Sequence, residues 1–309
     1  MALKLIFMGT PEFAVPTLKS LYESKHEILC VYTKPPTKRS RGQKIISSPI
    51  DQFATKLKIP VRHPNNLDNI DELNFIKKLK PHYIIVVAYG QIIPKNLLDV
   101  SGITFLNIHA SILPKWRGAA PIQRAIMNRD KETGISIMKI VNELDAGPVM
   151  KTVKIDITNE CTYEKLSKKM SDISANTMIE ALDILEKKNE KFISQNDSKA
   201  TYAKKIEKFE AKLNWKERAE NLVAKINALH PNPGSWFEID GSRIKVLKAK
   251  EIKKKGKPGE IIDDNFTIAC FENSIQILEL KKEGKKSMDI SEYLKGNSLE
   301  IGLNVGKKS

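Results

Sequence analysis

Leu3-Lys4-Leu5-Ile6-Phe7-Met8-Gly9-Thr10-Pro11 opens the stretch whose reading decides the fold. Leu3 to Met8 is a short, nearly continuous apolar run, as expected of a strand buried on both faces. Gly9-Thr10-Pro11 turns the chain, and Pro11 suits the first position of a helix, where its missing N–H has no partner to lose. Phe13, Val15, Leu18 and Leu21 then recur at roughly helical spacing, and Ile28 to Tyr32 reads as a second strand. Strand, helix, strand is a βαβ unit, so a parallel sheet is expected. The Gly9 turn stands where a phosphate-binding loop would, but a full Gly-x-Gly-x-x-Gly pattern is missing, which weighs against a dinucleotide site.

The rhythm continues outward from this unit. Ile50 to Leu57 and Leu67 to Leu79 read as helices, Tyr83 to Val87 as a buried strand and Ile103 to His109 as another. Ala119 to Met127 is an expected helix. Thr133 to Ile140 and Pro148 to Ile157 are expected strands around the polar, glycine-ended loop Val141 to Gly147. Thr162 to Leu185 is a long amphipathic helix. One stretch breaks the pattern: Lys34 to Ser48 carries Lys38, Arg39, Arg41 and Lys44 and no acidic residue, and reads as a long basic loop. It is either a solvated surface loop or an arm that touches phosphates.

Composition changes near residue 190. The domain reading is a first domain over 1–189, a polar, lysine-rich linker over 190–208 and a second domain over 209–309. After an expected helix from Trp215 to Leu229 come short β patterns at Ser235–Ile239, Arg243–Ala249, Gly259–Ile262, Phe266–Phe271 and Ser274–Leu280. Five short strands with turn signals between them suggest a small β-barrel, OB-like.

The chain has 309 residues and a formal net charge of +15, a surplus that suits a polyanionic partner. Much of that surplus is lysine, so charge alone leaves nucleic-acid binding open. Cys30, Cys161 and Cys270 lie far apart with no Cys-x-x-Cys pair, which argues against a disulfide framework or a zinc site. No apolar run reaches transmembrane length, and a cytoplasmic protein is expected.

Asn107-Ile108-His109 ends the strand that begins at Ile103. Side chains two apart on a strand share a face, so Asn107 and His109 project together where the strand runs out. Open α/β sheets place their chemistry at such ends. An amide donor beside an imidazole suits a reaction in which an oxyanion develops and a proton moves. The plainer alternative is a turn-capping Asn and a satisfied core His.

Several matched segments shift that balance. Asn107-Ile108-His109, Ser111-Ile112-Leu113-Pro114 and Lys115-Trp116-Arg117-Gly118-Ala119-Ala120-Pro121-Ile122-Gln123 resemble the methionyl-tRNA formyltransferase family. So do Phe7-Met8-Gly9-Thr10-Pro11-Glu12-Phe13-Ala14, Val86-Val87-Ala88-Tyr89-Gly90-Gln91-Ile92-Ile93-Pro94, Gly134-Ile135-Ser136-Ile137-Met138 and Leu144-Asp145-Ala146-Gly147. The resemblance is strongest from residue 81 to 150 and thinnest in the last forty residues. Ile112 stands where Leu is common, a volume-conserving change.

The resemblance implies a Rossmann-like, open, mostly parallel sheet of formyltransferase type, followed by the OB-like barrel as a tRNA-binding domain. It implies transfer of the formyl group of 10-formyltetrahydrofolate to the α-amine of methionyl initiator tRNA. Asn107, His109 and Asp145 would be the catalytic set, and Ser111, Ile112, Leu113 and Pro114 would line the folate site. Arg39, Arg41 and Lys44 would reach the tRNA. No metal, membrane or obligate protein partner is implied. Trp116 and Arg117 either pack or touch substrate. Rival readings are a glycinamide ribonucleotide or sugar-amine formyltransferase, a formyl-folate hydrolase, a tRNA-binding module with an idle site and a nucleotide-dependent oxidoreductase.

Overall fold

The computed structural model describes residues 2–39, 44–239 and 241–305, and of Lys38, Arg39 and Lys44 the backbone alone. The first elements are β1 (Lys4–Gly9), α1 (Val15–Glu23), β2 (Glu27–Tyr32), β3 (Thr37–Arg39), β4 (Lys44–Ile46), α2 (Pro49–Lys56) and β5 (Val61–Arg62). Next come α3 (Ile70–Leu79), β6 (Tyr83–Val87), α4 (Lys95–Leu98), β7 (Thr104–His109) and the two-residue β8 (Arg117–Gly118). They are followed by α5 (Pro121–Met127), β9 (Glu132–Lys139), β10 (Val149–Asp156), α6 (Tyr163–Glu186) and β11 (Tyr202–Ala203). The C-terminal part holds α7 (Ala219–Leu229), β12 (Ser235–Ile239), β13 (Ser242–Ile252), β14 (Thr267–Ala269), β15 (Ser274–Lys282), β16 (Met288–Asp289) and α8 (Ile290–Lys295).

Contacts divide the chain into two units. One comprises Met1–Gly118, Thr133–Ile155 and Ser167–Tyr202; the other comprises Ala119–Glu132, Asp156–Leu166 and Ala203–Ser309. The first is built on a seven-stranded sheet in the order β10-β9-β7-β6-β1-β2-β5. β5, β2, β1, β6 and β7 run parallel, and β9 lies antiparallel to β7. The expected parallel βαβ start is therefore present. Leu5 to Met8 of β1 and Ile84, Ile85 and Val87 of β6 are almost completely buried, which is why neither strand alternates in sequence. After β1 the chain extends the sheet on one side through β2 and β5, then returns to the other side with β6 and β7. The reversal between β1 and β6 is a topological switch point, and the crevice beyond the strands' carboxyl ends is where such sheets bind ligands.

Local chemistry moved several boundaries. Pro11 is not the first residue of α1; it precedes a 3-10 turn over Glu12–Ala14, closed by Ala14 N–H donating to Pro11 O at 3.0 Å. The helix expected from Leu67 starts at Ile70, because the Asn69 side chain accepts from Asp71 N–H at 2.9 Å and caps it there. The helix expected from Trp215 starts at Ala219. The Asn214 side chain accepts from Lys216 N–H at 3.2 Å and turns the chain, freeing Trp215 to enter the core.

The second unit packs α7 against an antiparallel sheet in the order β12-β13-β15-β14, with β16 on the far part of β15. Register irregularities between Val246 and Ala249 bend β13, which pairs β12 through its first half and β15 along most of its length. Trp215, Phe237, Phe266 and Tyr293 form a chain of ring contacts at 5.4, 6.1 and 5.7 Å through this core. The expected strand at Gly259–Ile262 is instead two isolated bridges, Glu260 to Asn304 and Ile261 to Ile268. The fifth strand of the sheet is β16, too short and polar to stand out by pattern.

Candidate active site

β7 carries the two residues singled out by sequence. Asn107 lies beside Val86 of parallel β6 and Met138 of antiparallel β9, and His109 lies opposite Ser136 of β9. Their backbones are held by the sheet, so their side chains are aimed by strands and not by a loop. Asn107 is half-buried, and no described residue hydrogen-bonds its side chain. Its amide is available to a ligand.

His109 is 5% exposed and set between two acceptors. Its Nε2 lies 2.9 Å from the Trp116 carbonyl oxygen. A carbonyl only accepts, so this nitrogen carries a proton. Nδ1 faces Asp145 Oδ2 at 3.5 Å, longer than a hydrogen bond but within ion-pair range.

Asp145 lies in the loop between β9 and β10, at φ +48°. The backbone makes the turn, and the carboxylate reaches His109 while accepting from Gly118 N–H at 2.8 Å. Gly147 fixes the loop's return. A Cβ there would stand 1.9 Å from the Lys139 carbonyl oxygen, so no larger residue fits without moving β9.

The loop after β7 folds back onto β9. Ser111 is fully buried; its Oγ donates to Lys115 O, and its carbonyl accepts from Ser136 Oγ at 2.7 Å. Ser136 Oγ in turn accepts from Leu113 N–H at 3.2 Å. The Leu113–Pro114 peptide is cis. Ser111 and Leu113 point inward, whereas Ile112 and Pro114 keep exposed surface. Gly134 on β9 makes room for this loop, since a Cβ there would sit 2.8 Å from Ile112 Cγ1 and 2.2 Å from Val153 O.

The basic stretch is not structureless as expected. Thr37, Lys38 and Arg39 pair with Ile46, Ile45 and Lys44 in an antiparallel ladder, β3 with β4. The sequence showed no alternation because both strands are only three residues long. Arg41 lies outside the described residues.

Sequence reasoning missed the support behind Asp145. Gln195, in the stretch expected to be a linker, donates from Nε2 to Asp145 O at 2.8 Å and to Gly147 O at 2.7 Å. Its Oε1 accepts from Arg117 Nε and Nη2 at 3.1 and 2.9 Å, and Nη2 also reaches Asp197 Oδ1 at 2.6 Å. Arg117 is 3% exposed, which decides that it packs. The available signal was the apolar pair Phe192-Ile193 inside a polar run. Ile193 bridges Val149, and the Phe192 ring lies under Lys139 Nζ.

A second polar cluster lies at the other side of the sheet. Glu72 of α3 accepts from the Tyr32 hydroxyl at 2.8 Å and from Arg62 Nε and Nη2 at 2.9 and 2.6 Å. Burial raises the carboxyl's pKa, but the Arg62 and Tyr32 hydrogen bonds outweigh it and hold Glu72 below the ordinary carboxylate range. Burial pushes the Cys30 and Cys270 thiols up to about 12, so neither is a ready nucleophile. Among the described residues no group of His, Cys, Asp or Glu could hold a metal ion, and no helix is long and apolar enough to cross a membrane.

Known proteins resemble this chain in both units. Residues 3–182 match the formyl transferase family and residues 205–298 match the formyl transferase C-terminal domain. A methionyl-tRNA formyltransferase of Pelagibacter ubique is 46% identical, over 99% of this chain and 99% of that protein. Two solved structures share the fold. An N-formyltransferase from Helicobacter canadensis, in complex with folinic acid and dTDP-3-aminofucose, has a TM-score of 0.68 at 17% identity, covering 91% of this chain and 100% of its own. A methionyl-tRNA formyltransferase from Clostridium thermocellum has a TM-score of 0.59 at 19% identity, covering 82% and 95%. With both family models matched and a relative of that identity aligned from end to end, the chain belongs to the methionyl-tRNA formyltransferase family.

Proposed function

We propose that this protein transfers the formyl group of 10-formyltetrahydrofolate to the α-amine of methionyl initiator tRNA, giving N-formylmethionyl-tRNA. One observation carries the reading: Asn107, with an unengaged amide, and the His109–Asp145 pair stand together at the carboxyl end of β7, beside the switch point. The names of the relatives and the folinic acid held by a protein of the same fold support it.

The folate, when bound, supplies a formyl carbon activated by its bond to nitrogen. The amine of methionine attacks that carbon, a C–N bond forms, and the bond to the folate nitrogen breaks. The formyl oxygen becomes negative as the amine adds. In this reading Asn107 Nδ2–H stabilises it, and a protonated His109 adds charge. The amine must lose a proton and the folate nitrogen must gain one. His109, directly or through a water, carries that proton, and Asp145 orients the ring. Ile112 and Pro114 offer apolar surface to the folate, while Ser111 and Leu113 hold the loop's shape.

Residues 1–189 carry the formyl-folate chemistry, the stretch 190–208 braces the Asp145 loop through Gln195 as well as leading to the second part, and 209–309 bind the tRNA. Arg39, Arg41 and Lys44, all from the basic stretch of the sequence, contact the same polyanion. The protein works in the cytoplasm without an obligate protein partner.

The test is formyl transfer to charged initiator methionyl-tRNA, beside elongator methionyl-tRNA, an amino sugar nucleotide and a reaction without acceptor. Formylation selective for the initiator is expected. Formate release without acceptor would assign a hydrolase instead, and transfer to the amino sugar a sugar-amine formyltransferase.

A further inference from the structure

We propose that Gln195 is a positioning residue for the reaction: it holds the Asp145 loop and the strand segment following Trp116 at a fixed separation on either side of His109. This rests on reading Asp145 and His109 as the reacting pair.

The chemistry of the contacts fixes the orientation of the Gln195 amide. Arg117 can only donate, so Oε1 must face its guanidinium. The carbonyls of Asp145 and Gly147 can only accept, so Nε2 must face them. Both amide hydrogens are used within one loop, on the carbonyl of the left-handed Asp145 and on that of Gly147 two residues on. Such a backbone conformation is costly for a non-glycine residue and persists only when its surroundings over-determine it.

The other end of the strut is as well defined. Arg117 is buried, and its guanidinium binds Gln195 and Asp197. Its backbone N–H donates to Thr201 O at 2.8 Å. Arg117 is flanked by the two residues that touch the pair from this side. The Trp116 carbonyl meets His109 Nε2, and Gly118 N–H meets Asp145 Oδ2. One side chain therefore ties the loop bearing the carboxylate to the segment bearing the two backbone groups that set the imidazole and the carboxylate. The 3.5 Å gap between His109 and Asp145 is the quantity that the strut controls. A misplacement of about 1 Å at a reacting group can cost on the order of 100-fold in rate.

Gln195→Glu separates positioning from packing. A carboxylate still accepts from Arg117 and fills the same volume, but it repels the Asp145 and Gly147 carbonyls instead of donating to them. We would measure kcat, KM for both substrates and thermal unfolding in the full chain, for Q195E, Asp145→Asn and Arg117→Lys. For Q195E the expected result is a kcat lower by about 10- to 100-fold. Both KM values should stay within about 2-fold, since the strut touches neither substrate. Arg117→Lys removes the planar fork that holds Oε1 and should lower kcat in the same way, which keeps a test available if Q195E folds poorly. Wild-type kcat in Q195E or in R117K, with D145N impaired, would overturn the role of Gln195. Wild-type turnover in D145N would overturn the reading of the pair itself.

Discussion

At the scale of single residues, the site is a division of labour between a free group and a held one. Asn107 has no described partner for its amide, whereas His109 is contacted on both ring nitrogens. An unengaged buried-side donor costs stability unless a ligand uses it. Replacing Asn107 by Ala is therefore expected to leave the fold intact and to lower turnover by about 100-fold or more. Binding of the tRNA should change little. Wild-type-like turnover in steady-state assays would refute the oxyanion role. The residue types at 107, 109 and 145 were legible from sequence because matched segments surround them. Gln195 was not, because nothing in a polar run marks which glutamine meets a loop about fifty residues earlier.

At the scale of elements, two joints fix how neighbouring elements meet, and the first of them belongs to the site. It is the close approach of the β9–β10 loop to β9 at Gly147. Gly147→Ala is expected to force the loop away from Lys139, lowering stability by about 1–3 kcal/mol. It should also lower kcat more than KM, since Asp145 is two residues away. Thermal unfolding and steady-state kinetics check the two halves of that expectation. The second joint ties α3 to β2 and β5 through Glu72, Tyr32 and Arg62. The Glu72 carboxyl has a lower pKa folded than unfolded, so the unfolded chain binds more protons in the window between the two. Its contribution is complete above the unfolded carboxylate value of about 4.3 and fades as pH falls through the folded value. Glu72→Gln should cost about 2 kcal/mol at neutral pH, with Arg62 partly exposed and left unpaired. The cost should shrink as pH falls below the unfolded carboxylate value, which unfolding curves at several pH values would show. A constant cost across that range would remove the ionised carboxylate from the account.

At the scale of the whole molecule, the surplus of positive charge is the feature that one site does not use. In the second unit Lys245 and Lys281 are direct cross-strand neighbours, a like-charge pairing that weakens a sheet unless an anion compensates. With Arg243, Lys282 and Glu283 they border a cavity of about 300 Å³. Reversing both as Lys245→Glu and Lys281→Glu is expected to weaken tRNA binding by at least about 10-fold and to flatten its salt dependence by nearly two phosphate contacts. Folate binding should be spared. Replacing Arg39 and Arg41 by Ala should weaken productive tRNA engagement and again leave folate binding unchanged. Unaltered kinetics at subsaturating tRNA would remove the hairpin from the interface. An affinity that hardly changes between low and high salt would count against the electrostatic account as a whole.

The sequence by itself determined the alternation of strands and helices, the parallel sheet and the placing of Asn107 and His109 on one face of β7. These follow from local periodicity and from the two-residue repeat of a strand, which need no knowledge of distant contacts. It also holds the cap at Asn69, which the structure shows to override the apolar pattern at that helix start. The tertiary structure alone decided what meets what. It brought Asp145 to His109, set Arg117 inward and turned a stretch read as linker into the support of the site through Gln195. It also paired β3 with β4, and chose β16 over Gly259–Ile262 as the fifth strand of the second sheet. Those outcomes depend on groups far apart in the chain, and their hydrogen-bonding needs are met only when the sheet has closed the distance between them.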